Sequence, residues 1–211
     1  MSFIHRFEPG KKRGPTLLLL HGTGGNENDL VEFGRAIAPG SNLLSPRGNV
    51  LENGMPRFFR RLAHGVFDQE DLKFRAEELL NFIKTSAKEY DFDPENVIAI
   101  GYSNGANIAV ALLLLHERSL AGAVLFRPMM PLVPKKVPDL SECKVLVCAG
   151  DHDSMVDSGR TFELISFFER AHAKISVHHH PGGHELGRDD FVAAQKWLSE
   201  WLAPEKFHQD H

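Results

Sequence analysis

Short apolar or β-branched runs alternate with helical patterns from one end of this chain to the other, and that alternation limits the fold more than any other feature. Residues 16–20, 42–44, 97–100, 122–126, 145–149 and 175–179 are each bounded by turn residues, as buried parallel strands are. Residues 3–7 add a candidate edge strand. Residues 71–90 carry Leu72, Ala76, Leu79, Leu80, Ile83 and Ala87 at helical spacing, with Glu and Lys on the opposite face. Residues 158–172 repeat that pattern with Phe162, Ile165 and Phe168, and residues 190–202 with Phe191, Ala194, Trp197, Leu198, Trp201 and Leu202. Residues 104–116 leave almost no polar face, which predicts a buried helix. Strands alternating with helices make a mostly parallel sheet covered on both faces, an α/β fold. Without repeats or a Gly/Ser linker, residues 1–211 read as one domain, and a 42% hydrophobic content suffices for a full core without disulfides or a structural metal.

A net charge of −4 gives no basic field that would gather a phosphate backbone or an anionic membrane, so nucleic acid is not an expected partner. Residues 1–15 scatter Phe3, Ile4 and Phe7 among charges and lack the apolar core of a secretory signal. No apolar run approaches the roughly 20 residues of a spanning helix. Cys143 and Cys148 are an odd number of residues apart on a probable strand, and so point to opposite faces rather than to each other. The expectation is a cytoplasmic protein.

Chemistry enters at Gly101-Tyr102-Ser103-Asn104-Gly105. This matches the G-x-S-x-G nucleophile elbow, whose glycines allow a strained strand-to-helix turn that lifts a serine hydroxyl clear of the sheet. The pattern alone arises by chance in roughly one such sequence in ten. Its position, directly after a strand and opening the buried helix, is what gives it weight. The competing reading is an ordinary turn whose serine caps the helix.

A serine hydroxyl needs a base within hydrogen-bond reach and a carboxylate to orient that base. In an α/β-hydrolase both follow the serine in sequence, each on a loop beyond a strand. Asp151 and Asp153 follow the strand at 145–149, with Asp157 a more distant candidate, and periodicity does not separate them. His184 lies beyond the last strand after Gly182 and Gly183, at the sheet end where ligands meet open α/β sheets. His178, His179 and His180 alternate along that strand, with two expected toward solvent and one packed inward. The carbonyl oxygen of a tetrahedral intermediate needs two donors, each worth about 3 kcal/mol of barrier. The amides of Thr23, in the loop His21-Gly22-Thr23-Gly24-Gly25, and of Asn104 are the candidates. That loop has neither a P-loop lysine nor G-x-G-x-x-G, which argues against a phosphate cradle.

These segments together resemble the phospholipase/carboxylesterase family of α/β-hydrolases, which includes the acyl-protein thioesterases. The resemblance runs nearly end to end: residues 17–24, the elbow through Ala106, Gly150-Asp151-His152-Asp153-Ser154-Met155-Val156, and Gly183-His184-Glu185 before a closing helix with Trp197. Ser45-Pro46-Arg47-Gly48-Asn49-Val50 is similar to a subgroup of small bacterial hydrolases associated with hydroquinone and quinone stress. The resemblance implies an α/β-hydrolase fold without a large lid domain. It also implies Asp153 as the orienting acid, and Met129 and Met130 along the acyl side of the cleft.

One departure stands out. Where the thioesterases carry Met-Pro-x-Trp-Phe-Asp beside the acyl channel, this chain reads Met55-Pro56-Arg57-Phe58-Phe59-Arg60-Arg61. The aromatic wall, Phe58 and Phe59, is kept, but an acid has become a base. One of Arg57, Arg60 or Arg61 facing the pocket would favour an anionic substrate through charge-assisted hydrogen bonds; arginines on the solvated side of the loop would not.

The sequence thus predicts a carboxylesterase-type serine hydrolase acting on a small or medium-sized ester or thioester through an acyl-enzyme, with no cofactor and no metal. A homodimer stays open. Two rivals remain. A metal-dependent hydrolase would draw on Asp151, His152, Asp153, His178, His180 and His184, though no zinc-type spacing is present. A non-catalytic binding protein on the same fold would have no need of Ser103, Asp153 and His184 together.

Overall fold

The computed structural model describes residues 3–11 and 14–203; Met1, Ser2, Lys12, Arg13 and residues 204–211 of the expected 1–211 unit lie outside the described residues. Eleven strands and five helices follow in the order β1 (His5–Glu8), β2 (Thr16–Leu20), α1 (Val31–Ile37), β3 (Asn42–Pro46), β4 (Val50–Glu52), β5 (Met55–Arg57), β6 (Arg61–Ala63), β7 (Val66–Phe67), α2 (Gln69–Tyr90), β8 (Val97–Tyr102), α3 (Asn104–Leu115), β9 (Gly122–Phe126), β10 (Lys144–Gly150), α4 (Ser158–Arg170), β11 (Lys174–His180) and α5 (Arg188–Leu202). Seven strands form one sheet in the order β1-β3-β2-β8-β9-β10-β11, parallel except for β1, which runs antiparallel to β3.

Alternate residues of the central strands feed two apolar layers. Leu18, Leu20, Val97, Ala99, Val145 and Val147 pack with α2, α3 and α4, whereas Leu17, Leu19, Ile98, Ile100, Leu146 and Cys148 pack with α1 and α5. Cys143 and Cys148 fall into different layers and both are free thiols, as their spacing predicts. The α3 helix is buried from Asn104 to Leu114. Its lack of a wet face is explained by its seat between α2 and β8.

The long helices begin and end within two residues of where periodicity places them. The start of α2 is fixed by Asp68, whose carboxylate accepts the Asp71 amide at 3.1 Å, and that of α4 by Asp157, which accepts the Arg160 amide at 3.1 Å. The inner face of α4 differs from expectation: Thr161, Leu164, Phe167 and Phe168 are buried, while Phe162 is 70% exposed. The histidine run is also corrected. His178 and His180 both sit partly buried against Asp189 and Asp190 at the start of α5, and His179 is the exposed one, paired with Asp151. Alternation along β11 holds, but α5 covers the face that was expected to be wet.

No helix among the described residues is long and apolar enough to cross a membrane. Among the described residues no large lid domain covers the sheet. The two hairpins β4-β5 and β6-β7, between β3 and α2, supply the one excursion that matters to the site.

Candidate active site

The turn between β8 and α3 is built by close approach. A Cβ on Gly101 would stand 2.7 Å from the Cα of Ala106, and one on Gly105 would collide with the backbone carbonyl of Leu20 in β2. Only glycine fits at either place. Between them Ser103 is held at φ +51° and ψ −110°, a conformation that costs a residue with a Cβ about 1–3 kcal/mol. Its backbone is anchored on both sides: its amide donates to Phe126 at 2.9 Å, and its carbonyl accepts from Asn107 at 2.9 Å. The side chain makes no capping bond to α3, so the reading of Ser103 as a mere helix cap does not hold.

Its hydroxyl instead meets His184 Nε2 at 2.9 Å. His184 Nδ1 lies 2.8 Å from Asp153 Oδ2. Because an ionised carboxylate can only accept, Nδ1 carries the hydrogen and Nε2 is left to accept from Ser103. Asp153 is fixed in turn by the amides of Met155 and Val156, both donating to Oδ1, at 2.7 and 3.0 Å. Its side chain is 1% exposed and that of His184 12%. Asp151 pairs with His179 and Asp157 caps α4, so of the three aspartates only Asp153 meets the imidazole.

Around this triad the remaining candidates divide. Thr23 is exposed at the rim, and the neighbouring amides of Gly24 and Gly25 are already bonded to the carbonyls of Pro56 and Gly22 at 2.9 and 3.1 Å. As the first residue of α3, Asn104 has an amide with no acceptor in its own helix. Its side-chain Oδ1 accepts the Phe58 amide at 2.7 Å, while Nδ2 is buried without a protein partner. Phe58 leans on His21 at a ring separation of 4.7 Å, and Phe59 is enclosed in the core edge-on to Phe67. Met129 is buried, its amide donating to Asn107 Oδ1 at 2.9 Å, and Met130 is half-buried beside it.

The three arginines separate clearly. Arg57 is 3% exposed and donates from Nη1 to Thr23 Oγ1 at 2.6 Å and from Nε to the Phe59 carbonyl at 3.3 Å, with Glu52 3.2 Å away. Burial pulls its guanidinium below the ordinary arginine range. Arg60, with 61% of its side chain exposed, pairs with Asp68 and Asp71. Arg61 pairs with Glu52 at 2.9 Å. Of the three, Arg57 reaches the loop that carries Thr23. His21, unmarked in the sequence except by its place in that loop, pins the loop from beneath. Its Nε2 accepts the Gly48 amide at 3.0 Å, so Nδ1 carries the hydrogen that meets the Gly22 carbonyl at 2.6 Å.

Five of the six residues a metal site would have used are engaged in other pairings. Asp153 and His184 serve Ser103, Asp151 pairs with His179, and His178 and His180 face Asp189. A groove of about 600 Å³ lined by His178, Arg188, Asp189, Val192, Ala193 and Lys196 contains no member of the triad.

A doubly covered, mostly parallel sheet with Ser103, Asp153 and His184 converging beyond its strands defines an α/β-hydrolase. A sequence profile described as phospholipase/carboxylesterase matches residues 5–202, and the chain belongs to that family. It is 45% identical over 196 residues to the putative hydrolase MhqD of Bacillus subtilis, covering 93% of this chain and 98% of that one. A crystal structure of the Bacillus cereus carboxylesterase superposes with a TM-score of 0.90 at 47% identity, covering 92% of each chain. The structure of YahD with malic acid gives a TM-score of 0.89 at 32% identity over 92% of this chain and 97% of that one. The protein is accordingly a carboxylesterase-type hydrolase.

Proposed function

We propose that this hydrolase is a serine esterase that cleaves a small or medium-sized carboxylic ester through an acyl-enzyme, with Ser103 as nucleophile, His184 as base and Asp153 as its orienting acid. The observation that carries the reading is the unbroken relay of two short hydrogen bonds, 2.9 and 2.8 Å, that ends on a serine held at positive φ.

Ser103 Oγ attacks the carbonyl carbon while its proton passes to His184 Nε2, and Asp153 stabilises the imidazolium. Charge collects on the former carbonyl oxygen, which the amides of Thr23 and Asn104 receive. Collapse of this intermediate breaks the ester C–O bond, and the imidazolium gives its proton to the leaving alkoxide, releasing the alcohol. Water then loses a proton to His184 and adds to the acyl-enzyme. The second collapse frees the carboxylic acid and restores the Ser103 hydroxyl. No step requires a cofactor. A thioester follows the same path with a thiol as leaving group.

Arg57 adds a buried cation one hydrogen bond from Thr23, with Glu52 3.2 Å away. This supports esters that carry a carboxylate, and the relative YahD, whose structure is described with malic acid, a dicarboxylic acid, is in keeping with it. The partners we propose are small-molecule esters, and the place is the cytoplasm.

Stopped-flow hydrolysis of p-nitrophenyl acetate tests the reading. A burst of about one nitrophenolate per chain, absent in Ser103→Ala, is expected. Turnover by Ser103→Ala near the wild-type rate would defeat it, and a chelator that abolished activity would favour the metal-dependent rival instead.

A further inference from the structure

Arg127 follows β9 at φ +54°, with its amide donating to the Cys148 carbonyl at 2.8 Å. Its side chain is completely buried, 0% exposed, and so is that of its partner Asp190. All five N–H groups of the guanidinium are used. Nε donates to the Gly183 carbonyl at 3.0 Å, and Nη2 to the Glu185 carbonyl at 2.8 Å and to Asp190 Oδ2 at 2.7 Å. Nη1 donates to Asp190 Oδ1 at 2.9 Å and to the Cys148 carbonyl at 3.2 Å. Gly183 and Glu185 are the residues on either side of His184. Asp190 in turn accepts the Gly187 amide at 2.8 Å, which starts α5.

We infer that Arg127 is the positioning residue for His184: one buried guanidinium ties the backbone on both sides of the imidazole to the end of β10 and to the start of α5. The inference rests on His184 being the catalytic base.

The physical need is plain. The loop from Pro181 to Gly187 contains three glycines, and each unrestrained residue in it would forfeit about 1–2 kcal/mol of backbone entropy when fixed. A base misplaced by 1 Å can cost a hundredfold in rate. Arg127 fixes the flanking carbonyls in advance, and the Tyr102 hydroxyl, donating to the His184 carbonyl at 3.2 Å, adds a third anchor. Stability alone is a weak reason to keep such a pair, since apolar residues of similar volume serve as well or better in many cores. A planar fork able to bond three carbonyls and a carboxylate at once has no apolar substitute, and lysine cannot replace it.

The same carboxylate lies near His180 and Asp189, a grouping that could suggest a cation site. Both Asp190 oxygens are already filled by the guanidinium, and Oδ2 also by Gly187, so the grouping is the foundation of the Arg127 clamp.

Two variants test this against p-nitrophenyl acetate. In Arg127→Met/Asp190→Leu the buried charges leave together, so the protein is expected to fold. Arg127→Lys keeps a cation beside Asp190 but cannot bond both flanking carbonyls. In each, kcat should fall at least about thirtyfold with KM changed less than threefold. The downfield proton resonance of His184 Nδ1–H, identified by its loss in His184→Ala, should broaden or vanish. A merely structural role would lower the melting temperature and leave kcat and that resonance in place in the folded fraction. That outcome in either variant overturns the inference. Wild-type turnover in Ser103→Ala and His184→Ala would instead overturn the serine-esterase reading itself.

Discussion

Ser103, His184 and Asp153, the triad we propose, owe their alignment to fixed neighbours rather than to unusual side chains. Asp153 accepts two backbone amides on one oxygen and the imidazole on the other, so it can neither rotate nor trade partners with Asp151. Asp153→Asn should keep the fold but let the imidazole take the wrong tautomer, lowering kcat by about 10³ to 10⁴ with little change in KM. Steady-state kinetics with a circular-dichroism check of the fold reads this out, and a kcat within tenfold of wild type would contradict it. Arg57→Gln removes the cation next to Thr23. Its kcat/KM should drop about tenfold more on a half-ester of a dicarboxylic acid than on the corresponding neutral ester. Equal losses on both would show that Arg57 supports the loop without reading substrate charge.

At the scale of elements, the β8-turn-α3 unit was legible in the sequence because its constraints are local. Glycines at 101 and 105 answer contacts with Ala106 and Leu20 that any residue with a Cβ would violate. Gly105→Ala should therefore cost several kcal/mol, measurable as a lowered urea midpoint, whereas an ordinary first-turn glycine would gain from the change. The choice between Asp151 and Asp153 was not legible from periodicity, since two residues on one turn differ only in what meets them across the sheet. The short elements were missed for a related reason. Two helical turns in α1 and strands of two or three residues in β4 to β7 are too brief to establish a period. Arg127 escaped notice because its significance lies in carbonyls 56 and 58 residues away, and nothing in an Arg-Pro pair following a strand announces them.

Across the whole molecule, the two layers of core reward the alternation that the sequence displays, and they also set how stability follows pH. Burial holds the His21 imidazole below its ordinary value, and the Gly48 amide occupies the nitrogen that would take a proton. A folded-state pKa that is depressed contributes stability fully above the unfolded value near 6.5, and that contribution is lost as pH falls through the folded value. The urea midpoint should decline from pH 7.5 toward pH 5, less steeply in His21→Gln; equal slopes would exclude His21 as the cause. The buried thiols behave alike in the other direction. Burial pushes the Cys143 thiol up to about 12 and raises that of Cys148 as well, so neither forms a thiolate at neutral pH. Iodoacetamide should leave both unmodified until denaturant is added, as intact-mass spectrometry would show.

The central claim is that Ser103 is the residue that becomes acylated. Incubating the protein with a fluorophosphonate and mapping the adduct by tryptic peptide mass spectrometry tests it most directly. A single phosphonyl group on Ser103, formed at least a hundredfold more slowly in His184→Ala, is the expected result. An adduct on any other residue, or none while esterase activity persists, would contradict it.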